Sequence, residues 1–233
     1  MARYTTGGAY GVPLMKFTLT YDGELPATTK GNNRTAEKWA IRKALHPQLQ
    51  ELWDSSDILK SAYANRLIPT NTPFMMMEEH HSVQNPKSDR LAGAFLPAHK
   101  DRLDLCAPVS VGARKFIPLV RDTFALRCAL HIKFLRKEEP GALIYQGGDM
   151  DNRLKTLFDA LAVPNEQQLI EDPGAPDSIH CLLEDDRLIA GLAVDTEKLL
   201  SRPNASIHEV RLVIDVDVRV IHAKSYNMAF LGG

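Results

Sequence analysis

Between Gly147 and Leu161 the chain reads GGDMDNRLKTLFDAL, in which two acids at a strand-to-helix junction make a candidate cation site with a lysine beside them. Asp149 and Asp151 stand two apart, so on an extended approach both carboxylates project to the same side and can share a cation. Ligation by oxygen alone favours Mg2+, with Mn2+ as the alternative. Lys155 follows in the first turn of the ensuing helix, where the macrodipole disfavours a cation, so it wants a specific anionic neighbour. Taken alone, the two acids read more simply as a helix cap and surface acidity.

The element that must position them is legible from spacing. Leu154, Leu157, Phe158 and Leu161 fall at i, i+3, i+4 and i+7, the apolar stripe of a short helix from about residue 153 to 162. Asn152 or Asp151 is its natural cap. Gly147 and Gly148 let the backbone turn sharply ahead of Asp149.

These residues carry a family resemblance. Asp149-Met150-Asp151-Asn152-Arg153-Leu154-Lys155, then Phe158-Asp159-Ala160-Leu161, then the Asp185-Asp186 pair opening an apolar strand, resemble the RusA family of Holliday-junction resolvases. The likeness covers the second half of the chain well and the first half loosely. It implies an α+β fold, a mixed β-sheet flanked by helices, here with insertions. It also implies a homodimer whose two sites make paired incisions in opposing strands of a four-way DNA junction. Asp186, the second of its pair, matches the third catalytic acid of the family. The resemblance thus implies catalytic Asp149, Asp151, Lys155 and Asp186, the three acids holding the metal. Three converging carboxylates repel unless a divalent cation neutralises them, which points to Mg2+ or Mn2+. Two alternatives stay open: a nuclease of the same fold acting on flaps, forks or RNA, and a non-catalytic nucleic-acid-binding protein.

The whole chain bounds these readings. Its 233 residues with 44% hydrophobic content can bury a sizeable core. No apolar run reaches the roughly 20 residues of a membrane span, and the first residues lack an apolar signal segment, so a cytoplasmic protein is expected. Cys106, Cys128 and Cys181 lie far apart without a C-x-x-C, which argues for buried thiols rather than zinc or disulfides. The net charge of -1 hides an asymmetry: residues 1–140 carry 20 Lys and Arg against 14 Asp and Glu, residues 141–233 carry 8 against 15. The densest basic cluster, Lys30, Arg34, Lys38, Arg42 and Lys43, is the candidate contact to nucleic-acid phosphates. His80 and His81 are adjacent, so they point in different directions and need ligands from elsewhere to hold a metal.

Patterning predicts strands near residues 16–22, 123–135, 187–194 and 209–221, with helices near 35–53 and 153–162. The organisation read from the sequence is a flexible lead over 1–15 and a single nuclease domain over 16–223, followed by a tail over 224–233. The domain carries an inserted region at about 68–114 and a longer loop at 163–183. Asp215 and Asp217 alternate with apolar residues and are expected on the solvent side of a sheet.

Overall fold

The computed structural model describes residues 2–6, 11–28, 33–59, 67–69, 102–104, 106–137, 149–200, 206, 208–222 and 227. Period-two alternation sets its centre. In β7 (Leu126–Arg136) Cys128, Leu130, Ile132 and Phe134 are buried, and in β10 (Glu209–Val220) so are Leu212, Ile214, Val216 and Val218. The two strands pair antiparallel with Ile214 opposite Ile132 and Asp215 opposite His131, so their apolar halves coincide on one face. Beside them stand β1 (Ala2–Thr6), β2 (Val12–Glu24) and β9 (Ile189–Lys198), in the sheet order β1-β9-β7-β10-β2. β7 and β9 run parallel and the other neighbours antiparallel, which makes the sheet mixed.

Two helices cover the apolar face. Ile41, Leu45 and Leu49 of α1 (Thr35–Ser55) and Leu154, Leu157 and Leu161 of α2 (Asp149–Leu161) join one core with Leu130, Ile132, Ile214 and Val216. A second, three-stranded sheet has the order β5-β6-β8, formed by Val109–Val111, Arg114–Val120 and Ser178–Leu183. β6 is parallel to β8, and Phe116, Ile179 and Cys181 pack with Trp39 of α1. α1 therefore reaches both sheets and fixes α2 between them. A further pair, β3 (Leu67–Pro69) and β4 (Arg102–Asp104), is antiparallel.

The α+β class and four of the expected strands are present, with shifted bounds. Thr123–Ala125 is a turn rather than strand: Ala125 adopts φ 53, and its N–H donates to Asp122 O at 2.8 Å, so pairing starts at Leu126. Residues 187–188 belong to a 3-10 turn, Asp186–Leu188, ahead of β9. The expected lead over 1–15 contributes β1 and the start of β2. The expected loop over 163–183 contains β8, a six-residue strand in which Ile179, Cys181, Leu182 and Leu183 are buried and Ser178 and His180 half-buried. Most of the region 68–114, His80 and His81 included, lies outside the described residues. Cys106, Cys128 and Cys181 are buried free thiols, and burial pushes Cys128 and Cys181 up to about 12. Among the described residues no helix is long and apolar enough to cross a membrane.

Candidate active site

α2 starts at Asp149, so the motif lies inside the helix instead of on an extended approach to it. Acids in a first turn are favoured by the macrodipole, which explains why Asp149 and Asp151 extend the helix rather than precede it. The consequence corrects the sequence reading. Positions 149 and 151 stand about 200° apart around a helix, and the shared side that a strand would give them is lost. Of Asp149 the backbone alone is described. Asp151 and Lys155 are exposed, four residues apart, and therefore on one face; Asp159, half-buried, is the next residue on that strip. Asp159 is absent from the sequence-derived site, although its i+4 spacing from Lys155 was the signal that could have included it.

The other face of α2 is tied to the segment after β2. Arg153 donates to Leu25 O, Thr28 N–H donates to Asn152 O at 3.4 Å, and the Thr28 and Thr156 hydroxyls bond at 2.7 Å. Those ties leave the Asp151–Lys155–Asp159 strip outward. α2 also packs against the 3-10 turn that carries the second acidic motif. Asp185 caps that turn, accepting from Arg187 N at 3.0 Å and Arg187 Nε at 2.9 Å. Partial burial raises the Asp185 carboxyl, but the Arg187 bonds outweigh it and hold this acid below the usual range. Asp186 is shifted the other way: partial burial, a hydrogen bond with Asp185, and repulsion from Asp185 and Asp159 all raise it.

Each flanking acid has its own cation, Arg187 for Asp185 and Lys38 for Asp159 at 2.6 Å. Among the described residues none pairs with Asp186. No three His, Cys, Asp or Glu side chains there stand within reach of one ion. Carboxylate oxygens are the donor type that a hard divalent cation takes.

The basic cluster is where structure and sequence part. Lys30 lies outside the described residues. Arg34 donates to Ala27 O at 3.0 Å and approaches Glu37 at 3.4 Å. Lys38 is buried against Asp159. Arg42 is 2% exposed and closes the C-terminal end of α2, donating from Nε to Ala162 O at 3.3 Å and from Nη2 to Asp159 O. α2 has no basic residue in its own last turn, so α1 supplies the cation that a helix C-terminus favours. Burial lowers Arg42 to about 10, still charged at neutral pH. Lys43 pairs with Asp172 at 2.9 Å. Lys38 and Arg42 are thus interior ties between helices, and their assignment as phosphate contacts is corrected.

Asp172 fixes the connection between α2 and β8 onto α1. It accepts from Lys43 and, at 3.0 Å, from the Trp39 indole N–H, and these bonds bring its carboxyl down to about 2. Arg114 stacks on the same Trp39 ring, 5.0 Å from its centroid. On the opposite face of the main sheet lies a cleft of about 490 Å3 lined by Lys16, Thr18, His131, Asp215 and Asp217 among others. Its polar groups answer one another: His131 bonds Asp195 at 2.8 Å, Thr18 donates to Asp215 at 2.7 Å, and Arg219 pairs with Asp217 at 2.7 Å. They are sheet-face residues, as the alternation of β10 predicts, and they stand apart from the motif face of α2. No protein-family model matches the chain, and neither does any curated protein or solved structure.

Proposed function

We propose that this chain is a metal-dependent endonuclease that hydrolyses DNA phosphodiesters, with a four-way junction as its substrate and a homodimer as its working form. The resemblance in the D-x-D-N-x-x-K, F-D-A-L and D-D segments motivates the reading. The observation that carries it is the packing of α2, whose Asp151 and Lys155 share an outward strip, against the turn holding Asp186.

In this reading Asp186 and Asp151 would hold Mg2+ or Mn2+, and Asp149, on the other side of the first turn of α2, would not share that ion with Asp151. Such an ion would supply an activated water and positive charge for the scissile phosphate. Lys155, exposed on the same strip as Asp151, orients that phosphate and adds positive charge beside it. Asp185, engaged by Arg187, holds the turn in shape.

A second reading, the same nuclease acting on flaps, forks or RNA, is favoured by one observation. Lys38 and Arg42, which would have widened a basic surface for several DNA arms, are buried. Cleavage of matched junction, flap and linear substrates with Mg2+ and with EDTA tests both. Metal-dependent cutting with preference for the junction supports the proposal. Equal rates on all substrates leave a nuclease without junction specificity, and no cutting of any by a metal-saturated preparation removes the nuclease.

A further inference from the structure

We propose that the outer edge of β2 pairs antiparallel with the same edge of a second copy of this chain, joining the two main sheets across a twofold axis beside Leu19. The inference gives the proposed homodimer its interface, and it rests on that part of the functional reading alone, not on the nuclease chemistry.

β2 stands last in the sheet order β1-β9-β7-β10-β2 and runs for 13 residues, Val12–Glu24. In an antiparallel ladder the backbone groups of successive residues point alternately toward the neighbouring strand and away from it. Thr20 fixes the phase here. Its N–H donates to Gln48 Oε1 at 2.9 Å and its carbonyl accepts from Gln48 Nε2 at 2.8 Å, so both groups point away from β10. Lys16, Thr18 and Asp22 share that phase, because the register with β10 is unbroken from Met15 to Glu24. Among the described residues, Gln48 alone bonds the backbone on this side of Lys16, Thr18, Thr20 and Asp22. A long row of open edge groups is a template for another strand. The Gln48 carboxamide is chemically a peptide unit, and it engages Thr20 as a neighbouring strand would.

Self-complementarity selects the partner. With two copies of β2 antiparallel about Leu19, Lys16 of one copy stands opposite Asp22 of the other at both ends of the seam, and Thr18 stands opposite Thr20. On the apolar face Phe17 then stands opposite Tyr21, an aromatic cross-strand pair. Sliding the register two residues either way sets Phe17 against Gly23 or Leu19 and loses that match. Within the chain Lys16 pairs with Asp217 at 3.7 Å and Asp22 with Arg211 at 2.6 Å. Both Lys16 and Asp22 are exposed, so these pairs are weak enough to be shared or exchanged. On pairing, Gln48 gives up Thr20 to the backbone of Thr18 from the other copy.

The test is sedimentation of the full chain at micromolar concentration, for wild type, Thr18→Pro, Lys16→Asp, Asp22→Lys and the double charge swap, with circular dichroism to confirm folding. Wild type should be a dimer. The Thr18 N–H points away from β10, so Thr18→Pro removes an outer donor, leaves the ladder with β10 intact, and should leave folded monomers. Each single charge reversal sets like charges opposite each other twice and should weaken the dimer by about tenfold. The double swap should restore it. Within one chain that swap places like charge against Asp217 and against Arg211, so recovery can come only from pairing between copies. The charge series decides the matter if Thr18→Pro does not fold. A folded Thr18→Pro protein as dimeric as wild type, or a double swap no better than the single reversals, overturns this interface and leaves a homodimer formed elsewhere. A monomeric wild type removes both the homodimer and this inference, while DNA cleavage is judged by its own assay.

Discussion

Replacing Arg42 by Met removes a guanidinium and keeps most of the apolar stem, so it isolates what that charge does. Two carbonyls at the end of α2, those of Asp159 and Ala162, lose a charged donor. Hydrogen bonds to a charged group contribute about 1.5 to 3 kcal/mol each, so the loss is about 3 to 6 kcal/mol. Against it stands relief from burying the charge. The lowering of Arg42 from 12.5 to about 10, caused first by burial, corresponds to about 3 kcal/mol. The net destabilisation expected is therefore about 0 to 3 kcal/mol. Arg42→Glu should do far worse, because it sets a carboxylate against those same carbonyls. Urea unfolding at pH 7 is the assay, with the midpoint falling and the slope unchanged. Lys43→Ala, at a half-exposed pair, is the control and should stay within about 1 kcal/mol of wild type. A stable Arg42→Glu protein whose sole defect is weaker DNA binding would refute the interior role and restore Arg42 to the surface.

His180 stacks on His46 with ring centroids 5.4 Å apart, and burial, then the His46 charge, lower it to about 4. A histidine depressed in the folded state stabilises above its unfolded pKa of about 6.5 and loses that contribution as pH falls toward 4. After discounting for solvent screening, His180→Phe should remove about 1 to 2 kcal/mol of the pH dependence between those limits, read from urea midpoints at pH 7 and pH 4.5. Asp172→Asn should loosen the connection after α2, seen as faster proteolysis within residues 164–177 and a shifted Trp39 indole N–H resonance. Unchanged cleavage and resonance would mean that Lys43 and Arg114 hold the connection without it.

The fold was legible where one face of an element is buried and the other wet. β10 shows this most clearly, with Val210 to Val220 alternating against charges, and β7 follows the same rule. β8 was not legible: the alternation in Ser178–Leu183 lasts only as far as Cys181, and the strand follows Pro164, Pro173 and Pro176, which read as loop. The start of α2 was misplaced because Gly-Gly-Asp-x-Asp reads as a turn, while the macrodipole favours the same acids inside the first helical turn. The basic cluster failed for a different reason. Spacing puts Lys38 and Arg42 on one face of α1, but it does not say which face. The clue was the run Lys38, Arg42, Leu45, Leu49 and Trp53, in which two cations continue an apolar stripe. Their partners, Asp159 and the carbonyls of α2, lie more than a hundred residues away, where no local pattern reaches. Of the candidate site, the shared strip of Asp151 and Lys155 required the earlier helix start, and only the closeness of α2 to the Asp186 turn follows from the motifs. The counter-ions of Asp159 and Asp185 do not.

The central claim is that the acids of the α2 motif serve phosphodiester cleavage. It is tested most directly by the rate at which Asp151→Asn cuts a four-way junction in saturating Mg2+, compared with wild type in the same buffer and with the junction-binding affinity of both proteins. Wild type should cut only with Mg2+ or Mn2+ present, and Asp151→Asn should bind the junction with unchanged affinity while its cleavage falls to background. Cleavage by Asp151→Asn at the wild-type rate would contradict the account.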